Sequence, residues 1–580
     1  LMTTFSIFEL NSFGSKLGIS SLGSGLFSPN ALGEISNQLL DNECLLKVIR
    51  NLVTFINENG QLVRVNYADL DVEEFGSVYE GLLEYDPIIT DNMGQLVFGF
   101  IAGDDRSNSG SHYTPEELVK PLITHSLDYL IAERLKDSNP ELALLKLKVC
   151  DVACGSGHIL LSAARKIGFE LAKYRSNEDQ PTPTVLRTAI RDAIKNCIYG
   201  VDLNPLAVEL CKVALWLEAH EPGEPLNFLD HHIKNGNAII GLAHMNELEN
   251  GISDEAFKTL TGDDKNIAKG FRDKNIKERK ERAAKANQLK VDFEKTTKDS
   301  VKEANEDFKA FNDMSENTPE EIELKANAYK KFIEGDGFNF LKAMADTQVA
   351  QFFIPKTLTK KDALITDGEF RLILSGNKTW QDRKVDYSTK VAISEKIFHW
   401  FIEFPEVFNF GGFDCILGNP PFLGGKKISS NYGFYFTTWL KANYPAVGSA
   451  DLVAYFFRRA FNLINRNAFM SFISTNTISQ GETRQVGLEN IITSGGHINF
   501  AIKSTPWPGQ AAVDVSLVSI TKRKDVRKFL TNKEVVYIST YLNSEEIVGG
   551  SPNTINQNLL NAFIGTLVHG IGFVISENEA

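Results

Sequence analysis

Cysteine is scarce and scattered: six residues in 580 (Cys44, Cys150, Cys154, Cys197, Cys211, Cys415), with no Cys-x-x-Cys pair. That spacing argues against a disulfide framework and a structural zinc site, and no metal is expected. No run approaches the ~18 apolar residues of a membrane span. The opening LMTTFSIFELNSFGS lacks a charged stretch leading into an apolar core, so it does not read as a secretory signal. A cytoplasmic protein with no membrane attachment is the expectation. Positive charge is also in deficit, since 61 Lys and Arg face 74 Asp and Glu for a net charge of −13. This argues against a surface that embraces nucleic acid on every side, while leaving room for a local basic groove.

What is present is the composition of a globular chain, 43% hydrophobic and 23% charged, long enough for two to four domains. Residues 1–30 are rich in Gly and Ser and read as an extended or docking segment. From Asn37 to Tyr85 apolar residues recur at helical spacing, as in LLKVIRNLVTFI and FGSVYEGLLEY. After a polar loop, Pro115 and the acidic pair behind it suit the first turn of a helix near Glu116. Strand and helix then alternate: LKLKVCDVA, GHILLSAARKIGFELAKY, a further helix near Val185 to Lys195, NCIYGVDLN, PLAVELCKVALWLEAH. This alternation predicts an α/β fold with a parallel, doubly wound sheet.

The character changes between about Asn246 and Gly335. Residues 265–298 hold twelve basic against five acidic residues, and residues 299–323 hold nine acidic against two basic. A solvated helical hairpin with mutually attracting arms is one reading, and a basic arm on a phosphate backbone is the other. Apolar content returns from Phe338, where FFIP, KIFHWFIEFPEVF and FDCILGNPPF lead back to strands. DLVAYFFRRAFNLI reads as an amphipathic helix, and RNAFMSFISTNTI and VDVSLVSITKR as strands. No period is legible after about Val526.

Two stretches carry chemistry. DVACGSGHIL sits at a strand-to-helix junction, where Gly155 and Gly157 allow a tight turn and close approach to a ligand. It lacks the Gly-Lys-Ser/Thr of a phosphate loop and the third glycine of the dinucleotide fingerprint. Asp202 ends the second strand, 51 positions after Asp151, against ~20 in a compact dinucleotide unit. A nucleoside ligand without pyrophosphate fits, namely S-adenosylmethionine, with Asp202 on the ribose, Leu203 against the adenine and Asp151 near the methionine end. Tyr113-Thr114-Pro115 are placed to close over the methionine moiety, and Asn237 to line the adenine pocket.

The second stretch is Asn419-Pro420-Pro421-Phe422. An exocyclic base amine is a poor nucleophile because its lone pair is delocalised into the ring. Two acceptors aimed at its hydrogens, the Asn419 side-chain oxygen and the Pro420 carbonyl, favour the pyramidal geometry that can attack a methyl group. Consecutive prolines fix φ and remove competing N–H donors, and such preorganised dipoles act where charge develops. Phe422 offers a flat face to a base turned out of its stack. Asp451, at the start of the next helix, either orients a pocket group or caps that helix.

At these residues, and in LGSGLFSPN, DVEEFGSVYEGLLEYD, HYTPEELV, NGNAIIG, FHWFIEFPEVF, ADLVAYFFRRAF and STNTISQGETR, the chain resembles the gamma-class N6-adenine DNA methyltransferases of the Eco57I-like, type IIG and phage-defence kind. The resemblance runs from about Leu26 to Lys522. It implies a Rossmann-like class I methyltransferase sheet with an amino-terminal segment and helical connector (1–110), a cofactor half (111–250), a charged helical insertion (251–335), a catalytic half (336–525) and the start of a carboxyl-terminal region of the target-recognition kind (526–580). It implies an adenine-specific DNA methyltransferase, with Asp151, Ala153, Gly155 and Gly157 on the methionine side, Asp202 and Leu203 on the adenosine side, and Asn419 to Phe422 as the acceptor set. It further implies double-stranded DNA as partner, with other restriction or defence subunits beside it. His158 stands where the family commonly carries Asn. A Glu-x-Lys triplet at Glu323-Leu324-Lys325 falls in the charged helical insertion and not on a strand, so no nuclease is expected. Two alternatives remain at this level: methylation of a protein glutamine or RNA by the same tetrapeptide, and a non-catalytic module that senses cofactor within a defence complex.

Overall fold

The computed structural model describes residues 2–19, 21–22, 26–27, 41–67, 85–92, 95–102, 114–221, 224–284, 302–304, 306–445, 448–508 and 513–545. Its centre is a nine-stranded sheet of β1 (Val149–Asp151), β2 (Ile198–Asp202), β3 (Ile233–Asn235), β4 (Phe413–Gly418), β5 (Ile464–Thr475), β6 (His497–Pro506), β7 (Asp514–Thr521), β8 (Lys528–Leu530) and β9 (Lys533–Val535). Across the sheet the order is β9-β8-β6-β7-β5-β4-β1-β2-β3. The five strands from β3 to β5 run parallel, while β7 runs antiparallel to both β5 and β6. The chain winds outward from β1 to β2 and β3, then returns to lay β4 on the other side of β1. That reversal opens a crevice at the carboxyl ends of β1 and β4, where ligands of open α/β sheets bind.

The central strands are apolar without polar alternation because both of their faces are covered. Val149, Cys415 and Leu417 enter one apolar cluster, with the helices His158–Ser176 and Pro183–Cys197. Cys150 and Ile416 enter the other, with the helices Asp336–Ala350 and Leu452–Leu463. Residues one apart thus point to opposite layers, as the period of a strand requires.

Several expectations are corrected. The amino-terminal stretch read as extended holds a helix at Met2–Glu9. The helix in LLKVIRNLVTFI ends at Val53, and Thr54–Ile56 pairs with Leu62–Arg64. The cause is the Asn57 to Gly60 turn, in which Asn57 Oδ1 accepts from the Asn59 and Gln61 amides and Gly60 takes φ 73°. A hairpin at Tyr85–Asn92 and Gln95–Ala102 had no counterpart in the sequence reading. The helix expected across FGSVYEGLLEY lies almost wholly outside the described residues.

FFIP is a turn, and KIFHWFIEFPEVF forms two short helices, Trp400–Glu403 and Pro405–Phe408. Only the stretch before them is extended, with the Phe398 and Trp400 amides bonded to the Ile240 and Leu242 carbonyls. Aromatic density there reflects burial on all sides, which periodicity cannot distinguish from a strand. The charged insertion is docked as well as solvated. From the helix Lys265–Ala284, Asn275 is fully buried and bonds the Ile252 carbonyl and the Asp367 amide. Arg272, Arg279 and Arg282 pair with Glu255, Asp254 and Asp367, so these three cations face carboxylates and not an acidic partner arm. Phe308, Phe311 and Phe332 join the core, and the Glu-x-Lys triplet lies on the helix Pro319–Glu334 as expected. Past residue 525, β8 and β9 extend the sheet edge, an arrangement that rests on pairing with β6 and β8 and not on any local period.

Candidate active site

The carboxyl ends of β1, β2 and β4 stand side by side. Asp151 ends β1, only 2% exposed, and its Oδ1 accepts the Ala153 amide at 2.9 Å. Burial pushes its carboxyl up to about 7, against the Ala153 hydrogen bond and with help from the charge of Asp202. Asp202 ends β2; its Oδ2 accepts the Gly155 amide at 2.9 Å and its Oδ1 the Asn204 amide at 2.8 Å. Burial raises this carboxyl too, opposed by those amides and by Lys396. The glycine loop is therefore strung between two acids on neighbouring strands.

Its two glycines do different things. Gly155, at φ 51°, would project a Cβ into open space, with no atom within 4 Å. Gly157, at φ 89°, would place a Cβ 2.7 Å from Cys211 Sγ; it brings the helix His158–Ser176 against Pro205–Glu218. His158 is buried beside Glu116, with Nε2 at 3.4 Å from the carboxylate.

On β4, Gly418 faces Asp151 so closely that a Cβ would lie 3.0 Å from Oδ1. Asn419 follows at once, which sets the Asn-Pro-Pro-Phe loop against the β1 acid. Pro420 is buried, while Pro421 and Phe422 are half-buried, and Phe422 packs on both apolar clusters. Asn419 Nδ2 donates to Thr114 Oγ1 at 3.2 Å, and its Oδ1 is buried without a hydrogen-bond partner.

Other expected residues are placed less simply. Thr114 meets Asn419, Pro115 precedes the helix Glu116–Thr124, and Tyr113 lies outside the described residues. Leu203 is 40% exposed beside Asp202. The Asn237 side-chain oxygen accepts the Ile239 and Ile240 amides, so it shapes its own turn. Asp451 stands at the head of Leu452–Leu463 without capping it, and another helix, Gly425–Asn443, intervenes after the loop. Its Oδ1 accepts the Gly425 amide at 3.2 Å and its Oδ2 the Thr477 hydroxyl at 2.7 Å. The Leu452 amide bonds the Leu423 carbonyl at 2.9 Å, so the bonds to Gly425 and Leu423 pin the exit of the loop.

Sequence reasoning missed Lys396, whose Nζ bonds the Leu203 carbonyl at 2.9 Å, and Asn235, whose Nδ2 bonds the Asp202 carbonyl at 2.9 Å. Neither has a local signature. A cavity of about 490 Å³ lined by His244, Phe332, Phe338, Leu341 and Phe408 lies away from the site. Phe408 packs edge-on against Phe413, at the opposite end of β4 from Asn419.

The glycine loop, the paired strand-end acids and the Asn-Pro-Pro-Phe loop thus meet at the carboxyl ends of β1, β2 and β4 in one α/β sheet. The Eco57I restriction-modification methylase family model matches residues 196–341 and 355–504, just over half the chain, and the N-6 DNA Methylase model matches residues 73–239. The chain belongs to the Eco57I restriction-modification methylase family. It is 23% identical over 455 residues to a putative type II restriction enzyme and methyltransferase of Methanocaldococcus jannaschii, covering 70% of this chain and 34% of that protein. It is 25% identical over 235 residues to the type II restriction enzyme and methyltransferase RM.Eco57I of Escherichia coli, covering 37% and 22%. The chain thus spans about a third or less of these relatives' length. Among solved structures, the type IIL restriction-modification enzyme MmeI in complex with DNA superimposes with a TM-score of 0.39 at 16% identity, covering 84% of this chain and 46% of that one.

Proposed function

We propose that this chain methylates adenine N6 in double-stranded DNA within a restriction-modification or phage-defence system, with S-adenosylmethionine as methyl donor on a class I methyltransferase sheet. The carrying observation is Asn419 Oδ1, a buried acceptor with no partner, one residue from the strand that abuts Asp151. A buried acceptor left unpaired costs about 1–3 kcal/mol, and an incoming amine hydrogen would satisfy it. The residues fit the donor: the open side of Gly155 gives it room, Asp202 retains lone pairs for ribose hydroxyls, and Asp151 can offset a sulfonium charge. Bound there, the donor supplies an electrophilic methyl group. Asn419 Oδ1 and the Pro420 carbonyl then accept the two amine hydrogens of an extruded adenine and hold its nitrogen lone pair in line. Pro420 and Pro421 keep that carbonyl fixed and offer no N–H of their own. Phe422, anchored by both apolar clusters, stacks on the purine, as base-flipping enzymes require.

Incubation of the full-length protein with methyl-labelled cofactor and duplex DNA should yield labelled N6-methyladenine. Asn419→Ala should lower turnover at least about a hundredfold, on the scale of losing an oxyanion-hole donor, with cofactor affinity nearly unchanged. Normal methylation by that variant would refute the acceptor mechanism, and label in RNA or protein alone would refute the DNA substrate.

A further inference from the structure

On the proposed function, an adenine turned into the Asn-Pro-Pro-Phe loop brings its backbone phosphates with it, and a chain of net charge −13 must meet them somewhere. The basic arm of the insertion is one place to look, but Arg272, Arg279 and Arg282 there are answered by Glu255, Asp254 and Asp367. The stretch that leaves the Asn-Pro-Pro-Phe loop is different. From Cys415 to Gly481 the chain holds one acid in 67 residues, against about eight at its average of 74 in 580. Buried strands account for part of that deficit. They do not account for the helix Gly425–Asn443, where Lys426, Lys427, Ser430, Asn431 and Phe434 are exposed and no acid occurs. Asp451, the one acid of the stretch, is committed to the Gly425 amide and the Thr477 hydroxyl. Glu482, the next along the chain, accepts the Ser449 amide.

Lys426 and Lys427 make no ion pair among the described residues. They stand seven and eight positions past Asn419, on a segment whose start is held by the Leu452–Leu423 and Gly425–Asp451 bonds. Two exposed ammonium groups with no carboxylate to answer them are thus carried at a fixed place beside the loop. We infer that Lys426 and Lys427 are phosphate contacts of this site, their ammonium groups taking backbone phosphates of the strand whose adenine enters the Asn-Pro-Pro-Phe loop. This rests on the proposed function and deepens it, by naming the element that meets the duplex. Such contacts fix the register of the strand and read no sequence, and an acid-free surface around them spares the phosphates a like charge.

The test uses the full chain and a fluorescently labelled DNA duplex of mixed sequence. Lys426→Gln with Lys427→Gln removes both charges, and Lys426→Arg with Lys427→Arg keeps them. Lys441→Gln, at the far end of the same helix and also exposed, is the control. Duplex Kd is read by anisotropy across a salt series, cofactor Kd by calorimetry and the fold by thermal unfolding. Each phosphate contact contributes about 0.9 to the slope of log Kd against log salt, so the double Gln variant should lose about 1.8 from that slope. At low salt it should bind duplex about tenfold or more weakly, with cofactor Kd and unfolding temperature as in the parent. The double Arg variant should restore the slope, and Lys441→Gln should leave it unchanged. A parent-like slope in the double Gln variant would overturn the inference. So would an equal loss with arginine, which would mark a packing role, or an equal loss in Lys441→Gln, which would mark a diffuse field. A loss confined to cofactor Kd would place the lysines on the cofactor and overturn it too. A parent protein that binds the cofactor but no duplex would refute the DNA substrate and this assignment with it, an outcome distinct from a parent and a double Gln variant that bind duplex equally well.

Discussion

The two halves of the site are built by opposite strategies. On the glycine-loop side the bonds that shape the loop are the shorter in sequence: Ala153 to Asp151 and Asn204 to Asp202 span two positions and Gly155 to Asp202 spans 47, with Lys396 alone reaching in from far away, 193 positions from Leu203. Consecutive strand-turn-helix units make them almost unaided. On the Asn-Pro-Pro-Phe side, Asn419 is bonded to Thr114, 305 positions away. The first half is a local motif repeated on two strands; the second exists only once the chain has returned to lay β4 against β1. The glycine loop can thus be robust to distant change, whereas the Asn-Pro-Pro-Phe loop inherits the accuracy of the whole fold.

The largest effect that would break this contrast is expected at Gly157. Gly157→Val forces a branched side chain into left-handed backbone and against Cys211. It should cost about 2–4 kcal/mol of stability, from strain and overpacking together, and abolish cofactor binding by calorimetry. A variant that unfolds at the parent denaturant midpoint would show that the loop is less constrained than its geometry implies.

A smaller effect is expected on the other side. Asp451→Ala frees the Gly425 amide and the Thr477 hydroxyl, and should lower kcat about tenfold while leaving cofactor Kd within about twofold. Equal losses in both quantities would merge the two halves that the contrast separates.

The mildest test is titration. Folding raises the Asp151 carboxyl from its ordinary value to about 7, so the folded chain holds this proton more tightly than the unfolded one. Its contribution to stability is full below about pH 4 and is lost as the pH climbs through about 7. The cofactor-free protein should therefore lose more melting temperature between pH 5 and pH 8 than Asp151→Asn does. A cationic sulfonium favours the ionised acid, so cofactor Kd should tighten a few-fold across about pH 6 to 8 and flatten in that variant. A Kd independent of pH in the parent protein would remove Asp151 from the methionine side.

The legible parts of the molecule were those whose cause is local. Short runs such as VCDVA and FDCILG, apolar but for one aspartate each, marked the buried parallel strands, because a strand covered on both faces has no polar side to show. Gly155 and Gly157 were readable because positive φ is a property of one residue. FHWFIEFPEVF misled, since aromatic residues buried on every side follow no strand period, and the Lys265–Ala284 helix misled because its many charges outnumbered the few buried residues, such as Asn275, that dock it. The hairpin at Tyr85–Ala102 carries no Asn-Gly or Asp-Gly turn to announce it.

By itself the sequence determined the α/β alternation, the glycine loop, the two strand-end acids and the presence of a proline-stiffened Asn-Pro-Pro-Phe loop, because each depends on residue type at short spacing. Only the tertiary structure decided which end of the Asn419 amide is free, that Asp451 serves the loop and not its own helix, and that Lys396 and Asn235 reach the end of β2. Those facts follow from pairing β4 with β1 and from helices meeting across the sheet, contacts between residues whose separation along the chain leaves no pattern to read.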